Sequence, residues 1–178
     1  KRRDTMAQPT IAIANQPAYQ WAALCLFTTV AIILGALAFE FIGGFQPCPL
    51  CLQQRYAYYV AIPLLFLAMV LLSSGPRQGA IALLFFCAMI FLANAAFGVY
   101  HAGGEWGYWD LPATCSATGE LSGGGANLLK SLQDAKVPEC GKPELIILGL
   151  SLAGWNAIIS TCLTIGCLKA AFYAAEPV

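Results

Sequence analysis

The chain has 178 residues with nine basic and nine acidic side chains, so its formal net charge is zero; 10% of residues are charged and 59% are hydrophobic. Ordinary soluble domains carry about 25% charged residues, so this composition is that of an integral membrane protein. Outside the first three residues there is no basic cluster, which removes the positive footprint that nucleic-acid partners require.

Crossing the hydrocarbon core takes roughly 20 helical residues, and four segments qualify. The first runs from Ala22 to Ile42. Its "ALA" at 36 to 38 has the look of a signal cleavage site, but the apolar run is long and its basic flank distant, so an uncleaved span is expected. The second runs from Leu52 to Leu72 and the third from Gly79 to Val99, joined by the short polar turn "SSGPRQ", which makes them an antiparallel hairpin. Tyr100 to Pro143 is the one long segment outside the membrane, and Leu145 to Leu168 is the fourth span. The expected fold is an all-α integral membrane protein, a single four-helix bundle over residues 1–178 with one long loop, about 100–143, between helices 3 and 4.

Lys1, Arg2, Arg3, Arg77 and Lys169 fall on one side of this topology, and Arg55, Lys130, Lys136 and Lys142 on the other. Long loops count little in the positive-inside rule, so Lys130 and Lys136 are discounted. Both termini and the 73–78 turn are then expected to be cytoplasmic.

Eight cysteines divide by position. Cys25, Cys87, Cys162 and Cys167 lie within the spans, where a cysteine behaves as a small buried hydrophobe. Cys48, Cys51, Cys115 and Cys140 fall on the outer, oxidising side, where disulfides form and persist. The sharpest signal is Cys48-Pro49-Leu50-Cys51 in "GGFQPCPLCLQQRYAYY". Pro49 suits a first helical turn, which places Cys48 near the N-cap of the second span. There the helix dipole is expected to lower its thiol pKa. Arg55 lies on the same face, one turn inward from Cys51, where a guanidinium can stabilise a thiolate or negative charge developing on an acceptor. It can equally anchor the membrane interface beside Tyr56, Tyr58 and Tyr59.

The four outer cysteines can also be read as a structural staple or as a Cys₄ zinc site, although such sites usually have two close pairs and Cys115 and Cys140 are far apart. No metal site is expected. His101, the only histidine, stands four residues before Glu105, but Gly103 and Gly104 argue against a regular helix there. Trp106, Tyr108 and Trp109 mark an interfacial segment, either anchoring the loop or roofing a lipid-accessible pocket for a flat apolar ligand. The run Gly123 to Gly125 is expected to act as a joint between Cys115 and Cys140.

"CPLCLQQRYAYY", "YHAGGEWGYWDLPATCS", "VPEC" and "LGLSLAGWNAII", in this order from about Trp21 to Leu168, together resemble the bacterial disulfide bond formation protein B (DsbB) family. The resemblance implies an inner-membrane protein-dithiol:quinone oxidoreductase that reoxidises a periplasmic DsbA-like thiol oxidase of thioredoxin fold and delivers the electrons to ubiquinone or menaquinone. By position it implies that Cys115 forms the mixed disulfide with the partner, that Cys140 is its disulfide mate and exchanges with Cys48, and that Cys51 faces the quinone with Arg55 and His101 near it. Two other readings stand beside it. Enzymes similar to vitamin K epoxide reductase also join CxxC and quinone, but their CxxC follows the loop cysteines. A non-enzymatic four-span scaffold with a stapled outer loop leaves the CPLC and Arg55 without a purpose.

Overall fold

A computed structural model describes residues 16–112, 140, 141, 143 and 145–176. Four helices carry the fold: α1 (Pro17–Phe41), α2 (Pro49–Ser74), α3 (Arg77–Glu105) and α4 (Leu152–Ala175). Each is long and apolar enough to cross a membrane, with a mean hydropathy between 1.6 and 2.4 over its best window. Large apolar side chains such as Phe27, Phe66, Phe85 and Phe172 point outward, as a lipid-facing surface requires. The fold is the expected all-α four-helix membrane bundle.

Each helix starts where its sequence supplies a stop or a cap. Pro17 and Pro49 occupy first-turn positions, where a missing N–H leaves no bond unmade. Cys48 caps α2, its Sγ accepting from the backbone N–H of Cys51 at 3.2 Å. Ser151 caps α4 through Gly154 N–H at 3.2 Å. The chain leaves α1 through Gly43 and Gly44, with Gly44 at φ +71°, a conformation that favours glycine.

α1 packs on α2 and α4, and α3 packs on the same two, so the helices run in cyclic order with α2 and α4 on a diagonal. The α3–α4 seam is built from small residues. A Cβ on Gly98 would meet the backbone N of Ala157 at 3.0 Å and its Cα at 3.1 Å, so the helices touch almost backbone to backbone. Ala22, Leu65, Leu84, Phe91, Leu163 and Cys167 fill the middle of the bundle. Buried hydroxyls there bond back to their own helix, Thr29 to Cys25 O at 2.7 Å and Thr164 to Ser160 O at 2.8 Å, so neither faces hydrocarbon unpaired.

Three expectations change. The fourth helix starts at Leu152 rather than Leu145 and runs on to Ala175. Before it, Ile146–Ile147 (β1) pairs antiparallel with Leu150–Ser151 (β2) around a turn in which Leu148 and Gly149 have φ +52° and +82°, the signs of a type I′ hairpin. Periodicity alone cannot separate such a short apolar strand from a helix. Trp155 fastens the hairpin to α4, its Nε1 donating to Ile147 O at 2.9 Å.

Secondly, α3 continues through Gly103 and Gly104 to Glu105. The glycines admit neighbours rather than end the helix: a Cβ on Gly103 would strike the Trp109 ring, and one on Gly104 the Leu111 side chain. Thirdly, the aromatic segment does not roof the cavity described below. Trp109 folds back onto α3, stacking on Tyr100 at 5.9 Å and donating to Tyr100 O at 2.9 Å, while Tyr100 in turn stacks on Phe97 at 6.4 Å.

At the end of the bundle away from Cys48, Arg77 Nη2 donates to Tyr173 O at 3.2 Å and Lys169 Nζ lies 4.7 Å from the centre of the Trp21 ring. These two cations therefore share one end.

Candidate active site

The other end gathers the heads of α2 and α4 and the tails of α1 and α3. Cys48 Sγ and Cys51 Sγ lie 2.6 Å apart, with Cys48 the donor. Their sequence spacing makes this contact: one is the N-cap and the other closes the first turn above it. Cys48 is buried, Cys51 half-buried. Cys140 is also buried and packs with Cys48 and Leu50 against Phe97 and Leu111.

The helix dipole does not decide the ionisation of Cys48 as expected. The hydrogen bond it donates to Cys51 and then its burial push its thiol pKa well above the usual range, against a smaller opposing effect from His101. Between the two sulfurs, Cys48 holds the proton.

His101 is fully buried. Its Nδ1 lies 3.0 Å from Gln54 Nε2, and its Nε2 lies 3.7 Å from Cys48 Sγ and 3.8 Å from Glu105 Oε1. The amide of Gln54 thus fixes the ring so that Nε2 faces the sulfur. Cys48 Sγ, a ring nitrogen of His101 and Cys140 Sγ all lie within 4.8 Å of one another. The other carboxylate oxygen of Glu105, Oε2, is buried with no hydrogen-bond partner.

Arg55, on α2 as expected, is ion-paired through Nη1 to Glu40 Oε2 of α1, and its Nη2 lies 3.5 Å from Ala36 O. Both side chains are mostly covered, and a carboxylate and a guanidinium in this setting neutralise each other.

A cavity of about 350 Å³ opens among these groups, bounded by α1, the 45–48 segment, α2, the end of α3, the hairpin and α4. Phe39, Phe45, Leu145, Ile147, Trp155 and Ile159 give it apolar walls. Polar groups reach it at a few places: Cys48 and Cys51, Arg55 with Glu40, Gln54 with His101 and Glu105, and Tyr58 with Asn156.

Of the six residues singled out from sequence, the structure brings together Cys48, Cys51, Arg55, His101 and Cys140; Cys115 lies outside the described residues. Sequence reading missed Glu40 and Gln54, although a polar residue inside an apolar span is a functional signal in its own right, and it set Glu105 aside with the helix that Gly103 and Gly104 argued against. It also misplaced Tyr58, which is not part of an interfacial belt. Tyr58 is buried in the bundle and donates to Asn156 Oδ1 at 2.6 Å, whereas Tyr56 and Tyr59 are exposed.

A CxxC at a helix head, a third cysteine and a histidine against its first sulfur, and an arginine one turn inward form one constellation. The family model for disulfide bond formation protein DsbB matches residues 18–170. The chain belongs to this family. Among its relatives, a disulfide bond formation protein B of Aromatoleum aromaticum is 35% identical over 80% of this chain and 84% of the relative. A disulfide bond formation protein B 1 of Pseudomonas putida is 32% identical over 76% of this chain and 78% of its own. An uncharacterized protein of Rickettsia prowazekii is 27% identical over 88% of this chain and 90% of its own. No solved structure matches. As a DsbB-family member the chain is a multi-pass membrane protein of disulfide bond formation.

Proposed function

We propose that this protein is a membrane thiol oxidase that takes two electrons from a periplasmic thioredoxin-fold dithiol of the DsbA type and passes them, through Cys115–Cys140 and then Cys48–Cys51, to a membrane quinone. The observation that carries this reading is the Cys48–Cys51 pair, which faces Cys140 on one side and borders the apolar cavity beside Arg55 on the other.

The thiol steps balance as follows. One thiolate of the partner attacks Cys115 in a Cys115–Cys140 disulfide, and Cys140 leaves as thiolate. Cys140 then attacks Cys48 in a Cys48–Cys51 disulfide, and Cys51 leaves. The partner's second thiol displaces Cys115, which attacks Cys140 and releases Cys48. The partner has become a disulfide, Cys115–Cys140 is restored, and Cys48 and Cys51 hold two electrons. His101 Nε2, 3.7 Å from Cys48 Sγ, is the group placed to supply the proton that Cys48 retains.

The cavity suits a quinone: its walls are apolar and its polar groups stand at the edges, as a flat ring with two carbonyl oxygens requires. Cys51, Arg55 and the apolar walls would hold it. When bound there, a quinone supplies an acceptor for two electrons and two protons. Arg55 stabilises negative charge at this end, while Glu40 keeps the guanidinium oriented and the pair neutral at rest.

Arg77 and Lys169 at the far end of the bundle support an orientation in the bacterial inner membrane with both termini cytoplasmic and the cysteines at the periplasmic face. The test mixes the purified chain with a reduced thioredoxin-fold dithiol and a short-chain quinone under anaerobic conditions. One quinone should be reduced for each partner disulfide formed. Oxidation of the partner without loss of quinone would refute the acceptor.

A further inference from the structure

Below the thiols, a second polar group reaches the cavity. Tyr58 lies seven residues beyond Cys51 on α2, about 10 Å deeper along the helix axis. Its hydroxyl donates to Asn156 Oδ1 at 2.6 Å and lies 3.1 Å from Ser160 Oγ. Asn94 Nδ2, from α3, donates to the same Asn156 Oδ1 at 3.2 Å and to Ser160 Oγ at 3.0 Å, and Ser160 Oγ is 3.4 Å from that Oδ1. Three helices thus direct donors onto one amide oxygen.

The amide nitrogen has the opposite fate. Asn156 Nδ2 is buried and has no hydrogen-bond partner, although Asn156 and Tyr58 both line the cavity. With Asn94 Nδ2 turned toward it, reversing the Asn156 amide would set NH₂ against NH₂, donor against donor, so in this arrangement of Asn94 the nitrogen keeps the unpaired position. Such an arrangement is costly in hydrocarbon unless something else supplies the acceptor.

We infer that Asn156 forms a second subsite of the cavity, in which its Nδ2–H donates to a carbonyl oxygen of the bound ring while Tyr58, Asn94 and Ser160 hold its oxygen. The inference rests on the quinone reading of the cavity and adds to it a recognition residue on α4. Tyr58, Asn94 and Ser160 are positioning residues for this amide.

The test uses the full chain in detergent and a short-chain 1,4-benzoquinone labelled with ¹³C at its carbonyls. Infrared difference spectra should show a labelled carbonyl band lowered on binding to the wild-type protein. In Asn156→Leu that lowering should vanish at one carbonyl, and affinity should fall about three- to tenfold, the worth of one neutral hydrogen bond. Tyr58→Phe, which removes one of the three donors that hold Asn156 Oδ1 but leaves the NH₂, should weaken the lowering without abolishing it. A folded Asn156→Leu protein with unchanged band and affinity would overturn the subsite while leaving the quinone reading intact. Failure of the wild-type protein to bind quinone at all would overturn both. If Asn156→Leu does not fold, ¹⁵N-asparagine labelling of the wild type decides instead: a side-chain NH₂ resonance must move on adding the quinone, and a spectrum without such a change overturns the subsite.

Discussion

His101 Nε2 stands 3.7 Å from Cys48 Sγ although 53 residues separate them in sequence. The bundle makes this neighbourhood by laying the tail of α3 against the head of α2, and Gln54 sets the ring angle from nearly two turns further along α2. His101→Ala should therefore slow transfer between Cys140 and Cys48 by about a hundredfold, the low end for a positioned acid–base group. Stopped-flow mixing of oxidised protein with reduced partner measures it directly. An unchanged rate would reduce His101 to a packing residue.

The proton on Cys48 gives a pH signature. Because its folded pKa is raised, chiefly by the bond to Cys51, the reduced protein holds a proton that the unfolded chain loses near pH 8.5. Alkylation of Cys48 should still be accelerating at pH 10, where an ordinary thiol has levelled off. In Cys51→Ala, which removes the largest cause of the shift, the plateau should move to lower pH. Mass spectrometry of timed alkylation samples follows both curves.

Arg55 and Glu40 should separate the two half-reactions. Arg55→Ala removes a charge-assisted contact worth about 1.5 to 3 kcal/mol, so quinone reduction should fall about ten- to a hundredfold. Exchange between the partner and Cys115 should change far less, since Arg55 lies inward of the Cys48–Cys51 pair and the partner approaches from water. Glu40→Gln keeps the guanidinium but loosens it and should produce a smaller loss in the same half-reaction. Equal losses in both half-reactions would contradict the placement of Arg55.

What was legible in the sequence was whatever is local along the chain. Length and hydropathy locate four spans, and Pro49 with the CxxC spacing locates a cap and a thiol pair one helical turn apart. The pairing of Arg55 with Glu40 depends on how α1 lies against α2, and the contact of Gln54 with His101 on how α2 lies against α3. No periodicity reports those. Gly103 and Gly104 misled for a related reason: glycine disfavours an isolated helix, but here Trp109 and Leu111 fill the space a side chain would take. Tyr58 looked interfacial beside two other tyrosines, and only the bundle shows that its face meets Asn94, Asn156 and Ser160.

The α3–α4 seam offers a test of the fold. Gly98→Leu would drive a side chain into the backbone of Ala157, which cannot yield as a flexible side chain can. A loss of about 1 to 3 kcal/mol is expected from overpacking. Gly35→Ala, where an added Cβ meets nothing within 4 Å, should not destabilise the protein. Unfolding in mixed detergent compares the two.

Cys140→Ala should trap the partner on Cys115, because a mixed disulfide persists when the thiol that would resolve it is missing. The trap is primed by mixing the variant with a single-cysteine partner under oxidant. Peptide mapping of the species seen on a non-reducing gel identifies the linkage. A link to Cys48 or Cys51 with Cys115 left unreacted would mean that electrons enter at the CxxC.

The thiols, the histidine and the cavity crowd one end of the bundle, and Arg77 and Lys169 occupy the other. On the proposed function electrons would move sideways, from an aqueous partner into the same leaflet, and the protons released by the partner's thiols would start on that side too. A charge carried across the whole bilayer would feel about 2.3 kcal/mol per 100 mV, but no step in this arrangement carries one. Turnover should be indifferent to membrane voltage: it neither draws on the ion gradient nor adds to it, so disulfide formation could continue in a cell whose membrane has been depolarised, for as long as oxidised acceptor remains.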